Sequence, residues 1–322
     1  MHSWKEESLN KLKTLPSFFS SELTQFLQHL FLQGYSVILV GGATRDFLES
    51  GKLSTDLDFE LRHSESLEGE KWLRRLGQLK FFLQDHDYQV VEQPYGIFQI
   101  NLSAQEKIEL SSARTEFYSE ENKKNPMHKG FQVKLQSQMD TVESFKRRDF
   151  TLNAIGLEMG KDKLVVHDPF AGIESLKEGT LELCSADFLY DPVRFLRALR
   201  FKIKKKLDYG EQLEKKLSLF NLMNLTHFYF FEEAFKSGDV FVFFNIFFSS
   251  CEKYQIPISL EVMSFTFLKN IQSLHPVNNK EDFCKVLCFP KNNVTQEKII
   301  HIASALGIKK KDILSMFKAS NA

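Results

Sequence analysis

The stretch Val37-Ile38-Leu39-Val40-Gly41-Gly42-Ala43-Thr44-Arg45-Asp46, followed closely by Thr55-Asp56-Leu57-Asp58-Phe59-Glu60-Leu61-Arg62, decides the fold. A short apolar run closed by two glycines reads as a buried strand entering a tight turn. Helix-like residues Arg45 to Leu48 come next. Thr55 to Arg62 then alternates strictly, with Asp56, Asp58, Glu60 and Arg62 on one face and Leu57, Phe59 and Leu61 on the other. That alternation predicts a half-buried strand and aims both aspartates the same way.

Working outward, Phe19, Leu23, Phe26, Leu27, Leu30 and Phe31 recur at helical spacing, which predicts an amphipathic helix that Gly34 ends. Strand patterns follow at Tyr88 to Val91, Ile97 to Leu102 and Lys107 to Ser111. The order implies an α+β head with an antiparallel or mixed sheet. Ser119 to Gly130, polar and holding Pro126, is predicted as a loop. After Asp149 the pattern turns mainly helical, with no convincing run of alternating residues. Asp191-Pro192 has the look of an N-cap followed by proline at the first helical position, opening a helix through Arg200 or beyond. Aromatic-rich helical stretches occupy the rest, ending in a pair around Thr295 to Leu306 and Lys311 to Phe317.

A chain of 322 residues with 43% hydrophobic residues has room for two or three small cores. Lys plus Arg and Asp plus Glu both number 42, so contact with nucleic acid requires a local basic surface rather than a global positive field. Cys184, Cys251, Cys284 and Cys288 form no Cys-x-x-Cys pair, which argues against a zinc site or a disulfide framework and for reduced thiols in a cytoplasmic protein. The polar start shows no secretory pattern. The most apolar stretch, Phe228 to Phe248, is broken by Glu232, Glu233, Lys236 and Asp239, so no membrane span is expected.

Two aspartates one residue apart on a strand, preceded by Gly-Gly and a turn, suit two-metal phosphoryl transfer. Carboxylates on one face hold two divalent ions about 3.5 to 4 Å apart. Glycines let backbone amides approach phosphate oxygens. Taken alone, Gly-Gly is a weak signal, and Asp56 and Asp58 fit a solvated strand face better than a metal site. The joint order is more telling: Gly41-Gly42-Ala43-Thr44-Arg45-Asp46, Asp56-Leu57-Asp58, Arg147-Arg148-Asp149-Phe150-Thr151-Leu152-Asn153-Ala154, Asp168-Pro169 with Gly172, then Asp191-Pro192-Val193-Arg194-Phe195-Leu196-Arg197.

Over roughly residues 35 to 205 this order resembles the class II CCA-adding enzymes and their bacterial poly(A) polymerase relatives. The resemblance implies a polymerase-beta-like nucleotidyltransferase head, residues 1–158, then a helical neck, 159–225, and a helical body, 226–322. It implies Asp56 and Asp58 as catalytic, metal-binding carboxylates for Mg2+, with Glu109 as a candidate third. Gly41, Gly42 and Arg45 would line the triphosphate, and Arg147, Arg148, Asp149 and Asn153 the ribose and phosphates. Guanidinium forks match paired phosphate oxygens. Asp191 and Arg194, three apart on a helix, would offer an acceptor and donors to the base edge of CTP or ATP, with Arg197 near the phosphates. Lys202, Lys204, Lys205 and Lys206 are the candidates for RNA backbone.

The expected reaction is template-independent addition of CMP and AMP to an RNA 3′-hydroxyl, most simply that of tRNA. Two other readings stay open: a poly(A)-type or A-only polymerase on other RNAs, and an RNA-binding or regulatory protein with a vestigial site. The chain departs from the family at Tyr190, where an acidic residue is usual, and at Ser144 and Ser175, where aspartate is usual. His86-Asp87 and His167-Asp168, without further ligands, do not make an HD phosphohydrolase site.

Overall fold

The structure is a computed structural model and describes residues 2–104, 106–292 and 294–320. It divides into two compact units, one of residues 1–117 and 131–188, the other of residues 118–130 and 189–322.

The first unit is built on a seven-stranded mixed sheet in the order β3-β4-β5-β2-β1-β8-β9. Its strands are β1 (Tyr35–Val40), β2 (Leu57–His63), β3 (Gln89–Gln93), β4 (Ile97–Asn101), β5 (Lys107–Ser112), β8 (Gly156–Gly160) and β9 (Lys163–His167), with β6 (Arg114–Phe117) and β7 (Gln132–Leu135) forming a separate hairpin. β2 runs parallel to β5 and antiparallel to β1. Helices α1 (His2–Thr14), α2 (Ser21–Leu32), α3 (Gly42–Ser50) and α4 (Gly69–Asp85) supply the apolar side chains that cover one face of the sheet. Val37 and Leu39 of β1, Leu57, Phe59 and Leu61 of β2, and Ile108 and Leu110 of β5 all join that core. Pleating sends the intervening residues to the other face.

That second face is only partly apolar. Ile38 and Val40 meet Phe145, Ala154 and Cys184 there. Phe145 ends the short helix α6 (Thr141–Phe145). Gly156 permits the approach, because a Cβ at that position would lie 2.7 Å from Ile38 Cγ2 and 2.9 Å from Phe145 Cζ. The unit closes with α7 (Gly172–Glu178).

One expectation fails in this unit. Regular strands do not stop at Asp149, since β8 pairs with β1 and β9 pairs with β8. Two five-residue strands, the first beginning and ending in glycine, carry too few alternations to stand out, and only pairing with β1 and then with each other reveals them. Residue 158 lies inside β8, and the first unit continues to residue 188.

The second unit is helical: α8 (Pro192–Lys205), α9 (Glu211–Lys216), α10 (His227–Lys236), α11 (Val240–Tyr254), α12 (Leu260–Met263), α13 (Lys280–Cys288), α14 (Gln296–Ala305) and α15 (Lys310–Ser320). Its core is built of phenylalanine: Phe230 packs against Phe243, Phe244, Phe247, Phe248 and Phe265, and Phe283 against Phe231, Phe235, Phe241 and Phe244. Offset and edge-on rings add roughly 0.5–1.5 kcal/mol per pair beyond area burial. The predicted loop Ser119 to Gly130 holds the short helix α5 (Glu120–Lys124), and the segment belongs to this unit. Asn224 Nδ2 donates to Pro126 O at 3.2 Å, which helps to hold it. Among the described residues, no helix is long and apolar enough to cross a membrane.

Candidate active site

The site in the first unit lies on the second face of the sheet, at the end of β1. Gly41 leaves the strand with φ +90 and ψ −129, a conformation that L side chains rarely adopt, and caps α3. A Cβ on Gly41 would lie 3.4 Å from Asp58 Oδ2 and 3.7 Å from Arg148 Nη1. Thus the first glycine of the pair sits between a carboxylate of β2 and a guanidinium from beyond α6. Thr44 anchors the helix by donating to Ile155 O at 2.8 Å.

Asp58 is half-buried on β2, and Asp56 is exposed just before the strand begins. Asp58 stands opposite Glu109 of β5 in register. Burial pushes the Glu109 carboxyl above its ordinary range, the charges of Asp58 and Asp56 push it further, and Arg114 and Arg147 oppose them. The donors are all carboxylate oxygens, the chemistry of hard cations such as Mg2+. Among the described residues no group of three or more acidic, histidine or cysteine side chains that could hold a metal ion is found. Two carboxylates suffice for a Mg2+ ion that also takes substrate phosphates and waters.

Arg147 and Arg148 come from the turn after α6. Arg148 N donates to Phe145 O at 2.9 Å, and its guanidinium lies 5.2 Å from the centre of the Phe145 ring. Burial holds the Arg148 pKa down to about 10, with Arg147 adding to the fall while Glu60, Asp58 and Asp149 resist it. Arg114, on β6, is likewise held down to about 10 by burial and by Arg147, against Glu116, which accepts from its Nε at 3.2 Å. Guanidinium groups stay charged at neutral pH, so the first unit concentrates positive charge beside its aspartates.

The remaining expected residues form a buried relay. Arg45 Nη1 donates to Asn153 Oδ1, and Asn153 Nδ2 donates to Asp149 Oδ1 at 2.9 Å. Phe150 N donates to the same Asp149 oxygen at 2.8 Å. Side chains more than a hundred positions apart in sequence thereby hold one another. Gly42 adjoins this relay, for a Cβ there would lie 3.7 Å from Arg45 Nη2. Sequence reasoning names neither Glu60 nor Arg114 as a site residue, although Glu60 is fully buried on the same face as Asp58. Charge on an alternating strand looks solvated until the covering segment is known, and the signal for Arg114 lies in the Ala113 to Tyr118 stretch.

In the second unit Asp191 caps α8, its Oδ1 accepting from Val193 N at 2.9 Å. The same carboxylate takes a hydrogen bond from His128 Nδ1 at 2.9 Å, through Oδ2. The His128 ring lies 4.4 Å from that of Tyr229, and Tyr190 packs against Tyr118 at 5.3 Å. His128 therefore joins the expected pair, a residue that its loop position conceals. Arg194 is buried one turn along α8, and Arg197 is half-buried beyond it. Of the lysines, Lys202 is bound to Asp208 at 2.7 Å and lies over the Tyr209 ring. Lys204 and Lys206 are exposed and Lys205 half-buried.

Residues 37–182 match the family described as the Poly A polymerase head domain. The Multifunctional CCA protein of Nitrosococcus oceani is 34% identical over 165 residues, which are 51% of this chain and 34% of that protein. The Acinetobacter baumannii Multifunctional CCA protein is 31% identical over 178 residues, 55% of this chain and 36% of that protein. The match thus spans about a third of these relatives. Among solved structures, an apo CCA-adding enzyme superposes with a TM-score of 0.63 at 17% identity, covering 96% of this chain and 72% of that one. The Thermotoga maritima CCA-adding enzyme complexed with tRNA superposes with a TM-score of 0.56 at 18% identity, covering 96% and 65%. Those two likenesses speak to fold. Over residues 37–182, then, the chain is similar to the Poly A polymerase head domain, and over about half of its length to Multifunctional CCA proteins.

Proposed function

We propose that this chain is a template-independent RNA 3′-terminal nucleotidyltransferase of the cytoplasm, adding CMP and AMP from CTP and ATP to the 3′ end of tRNA. The observation that carries the reading is Asp58 Oδ2 and Arg148 Nη1 meeting across the side-chain-free Gly41. An acid that suits a divalent cation and a buried guanidinium that suits a phosphate adjoin the same backbone turn. Asp56 and Asp58 would hold Mg2+, which supplies activation of the attacking hydroxyl and neutralisation of the triphosphate. Arg147 and Arg148 bind phosphate oxygens, with Arg114 adding to the positive field. The Arg45–Asn153–Asp149 relay fixes the ribose end. Asp191 and Arg194 read the base, and Arg197 serves the phosphates. With these groups preset, catalysis is mainly positioning and electrostatic stabilisation of an in-line displacement.

The test is incubation of purified protein and Mg2+ with each labelled NTP, singly and mixed, on tRNA lacking its 3′ end and on an unrelated RNA. Ordered addition of C and then A to the tRNA alone is expected. A long tract of A on either RNA would move the assignment to the poly(A)-type reading, and no addition to any RNA would end the enzymatic one.

A further inference from the structure

We propose that Glu60 is a positioning residue for this site, the buried carboxylate that holds Arg147 in place for the incoming triphosphate. The inference rests on the nucleotidyltransferase reading and deepens it. Glu60 follows Asp58 by two residues on β2 and is 0% exposed. A carboxylate removed from water is costly unless it is paired. One oxygen is fully engaged: Oε1 accepts from Arg62 Nη2 at 2.8 Å and from Arg62 Nε at 3.3 Å. The other, Oε2, accepts no hydrogen bond and stands 3.8 Å from Arg147 Nη2. At that separation charge attracts while no hydrogen bond is used.

A purely structural ion pair is complete with Arg62 alone. Burying the second oxygen without a hydrogen bond is a cost that folding does not require. Its use lies with Arg147, a like charge that helps to depress the proton affinity of Arg148 and Arg114 beside it. An anionic group is needed to keep such a cluster together before a triphosphate supplies its own charge. The position is also fixed from the chain's other side. Arg62 Nη2 donates to Ser144 Oγ at 3.2 Å, and Ser144 is fully buried on α6, just before Arg147. One guanidinium thus ties the strand that carries Asp58 to the helix that delivers Arg147.

The experiment compares the full-length wild type with Glu60→Gln and with Glu60→Ala combined with Ser144→Asp. It measures CTP and ATP binding by calorimetry, the KM for NTP and kcat on tRNA lacking its 3′ end, and the melting temperature. Glu60→Gln keeps the side-chain volume and removes the charge, so nucleotide binding is expected to weaken and KM to rise about tenfold, with kcat at saturation within about twofold. The double variant returns a carboxylate to the Arg62 guanidinium but not to the Glu60 position facing Arg147, so it is expected to regain melting temperature without regaining affinity. Unchanged binding and KM in Glu60→Gln overturn the proposal. So does a double variant that regains affinity together with its melting temperature, since that assigns Glu60 to folding alone. A wild type that binds triphosphate but adds nothing overturns the enzymatic reading, while the binding arm still decides the role of Glu60. A wild type that binds no triphosphate overturns both.

Discussion

Asp58 lies within van der Waals reach of the turn at Gly41 and faces Glu109 across a parallel strand pair, so its charge is placed by backbone rather than by a flexible stem. Asp58→Ala is expected to lower single-turnover nucleotide addition by at least about a thousandfold, several kcal/mol of transition-state stabilisation, with little change in melting temperature. Retention of near-normal turnover would remove the aspartates from the chemistry. A second carboxylate on the same face supports stability instead. Burial works to raise Glu158, but hydrogen bonds from His167 at 2.7 Å and Lys163 at 2.8 Å outweigh it and hold the group at about 2. Its folded pKa lies below its ordinary value of 4.5, so the contribution to stability is complete above about pH 4.5 and is lost as the pH falls toward 2. Since Lys163 is half exposed, the contribution is on the order of 2 kcal/mol. Denaturant melts between pH 5 and 2.5 should show Glu158→Gln losing less stability than wild type. Parallel pH curves would reject the linkage.

On the proposed reading, Asp191 has two duties, as the N-cap of helix α8 and as the acceptor that meets a base amine. Asp191→Asn separates them, because the amide oxygen can still accept from Val193 N while the charge and one acceptor are lost. The variant should stay within about 1 kcal/mol of wild-type stability and lose preference for CTP and ATP over UTP and GTP in competition assays. Each mismatched polar contact is worth about 1–3 kcal/mol, or roughly five- to more than a hundredfold in choice. A wild type that incorporates all four nucleotides equally would sink the base-reading role. Elements differ in how far their sequence announces them. Gly41-Gly42, Asp58 on β2 and the cap at Asp191 are legible because each is a local spacing whose geometry follows from one strand or one helix, whereas Asp56, expected on the same strand face, lies just before the strand begins. β8 and β9 are not, being short strands defined by their partners. The same holds for Glu60, whose burial depends on α6 and Arg147, more than eighty positions away, and for His128, whose partner lies sixty-three residues on.

Across the whole molecule the charge balance is even, so any hold on RNA has to be local. Lys202 is already paired with Asp208, which leaves Lys204 and Lys206 as the exposed cations of the expected stretch. Reversing both charges should weaken RNA binding and flatten its dependence on salt, by about one unit of slope for each phosphate no longer neutralised, whereas Lys202→Glu should do less. Filter binding at several salt concentrations checks this, and an unchanged slope would place the RNA path elsewhere. The division into units, residues 1–117 with 131–188 and residues 118–130 with 189–322, carries a consequence for descent and engineering. The polypeptide passes from one unit to the other at 117/118, 130/131 and 188/189, so no single cut yields two intact modules. A chimaera joined at 188 would import a foreign body while keeping the native His128 segment, and Asp191 would meet a partner with which it had not evolved. Exchange between relatives must therefore carry the 118–130 insert along with the helical body, or the graft inherits one half of a hydrogen bond.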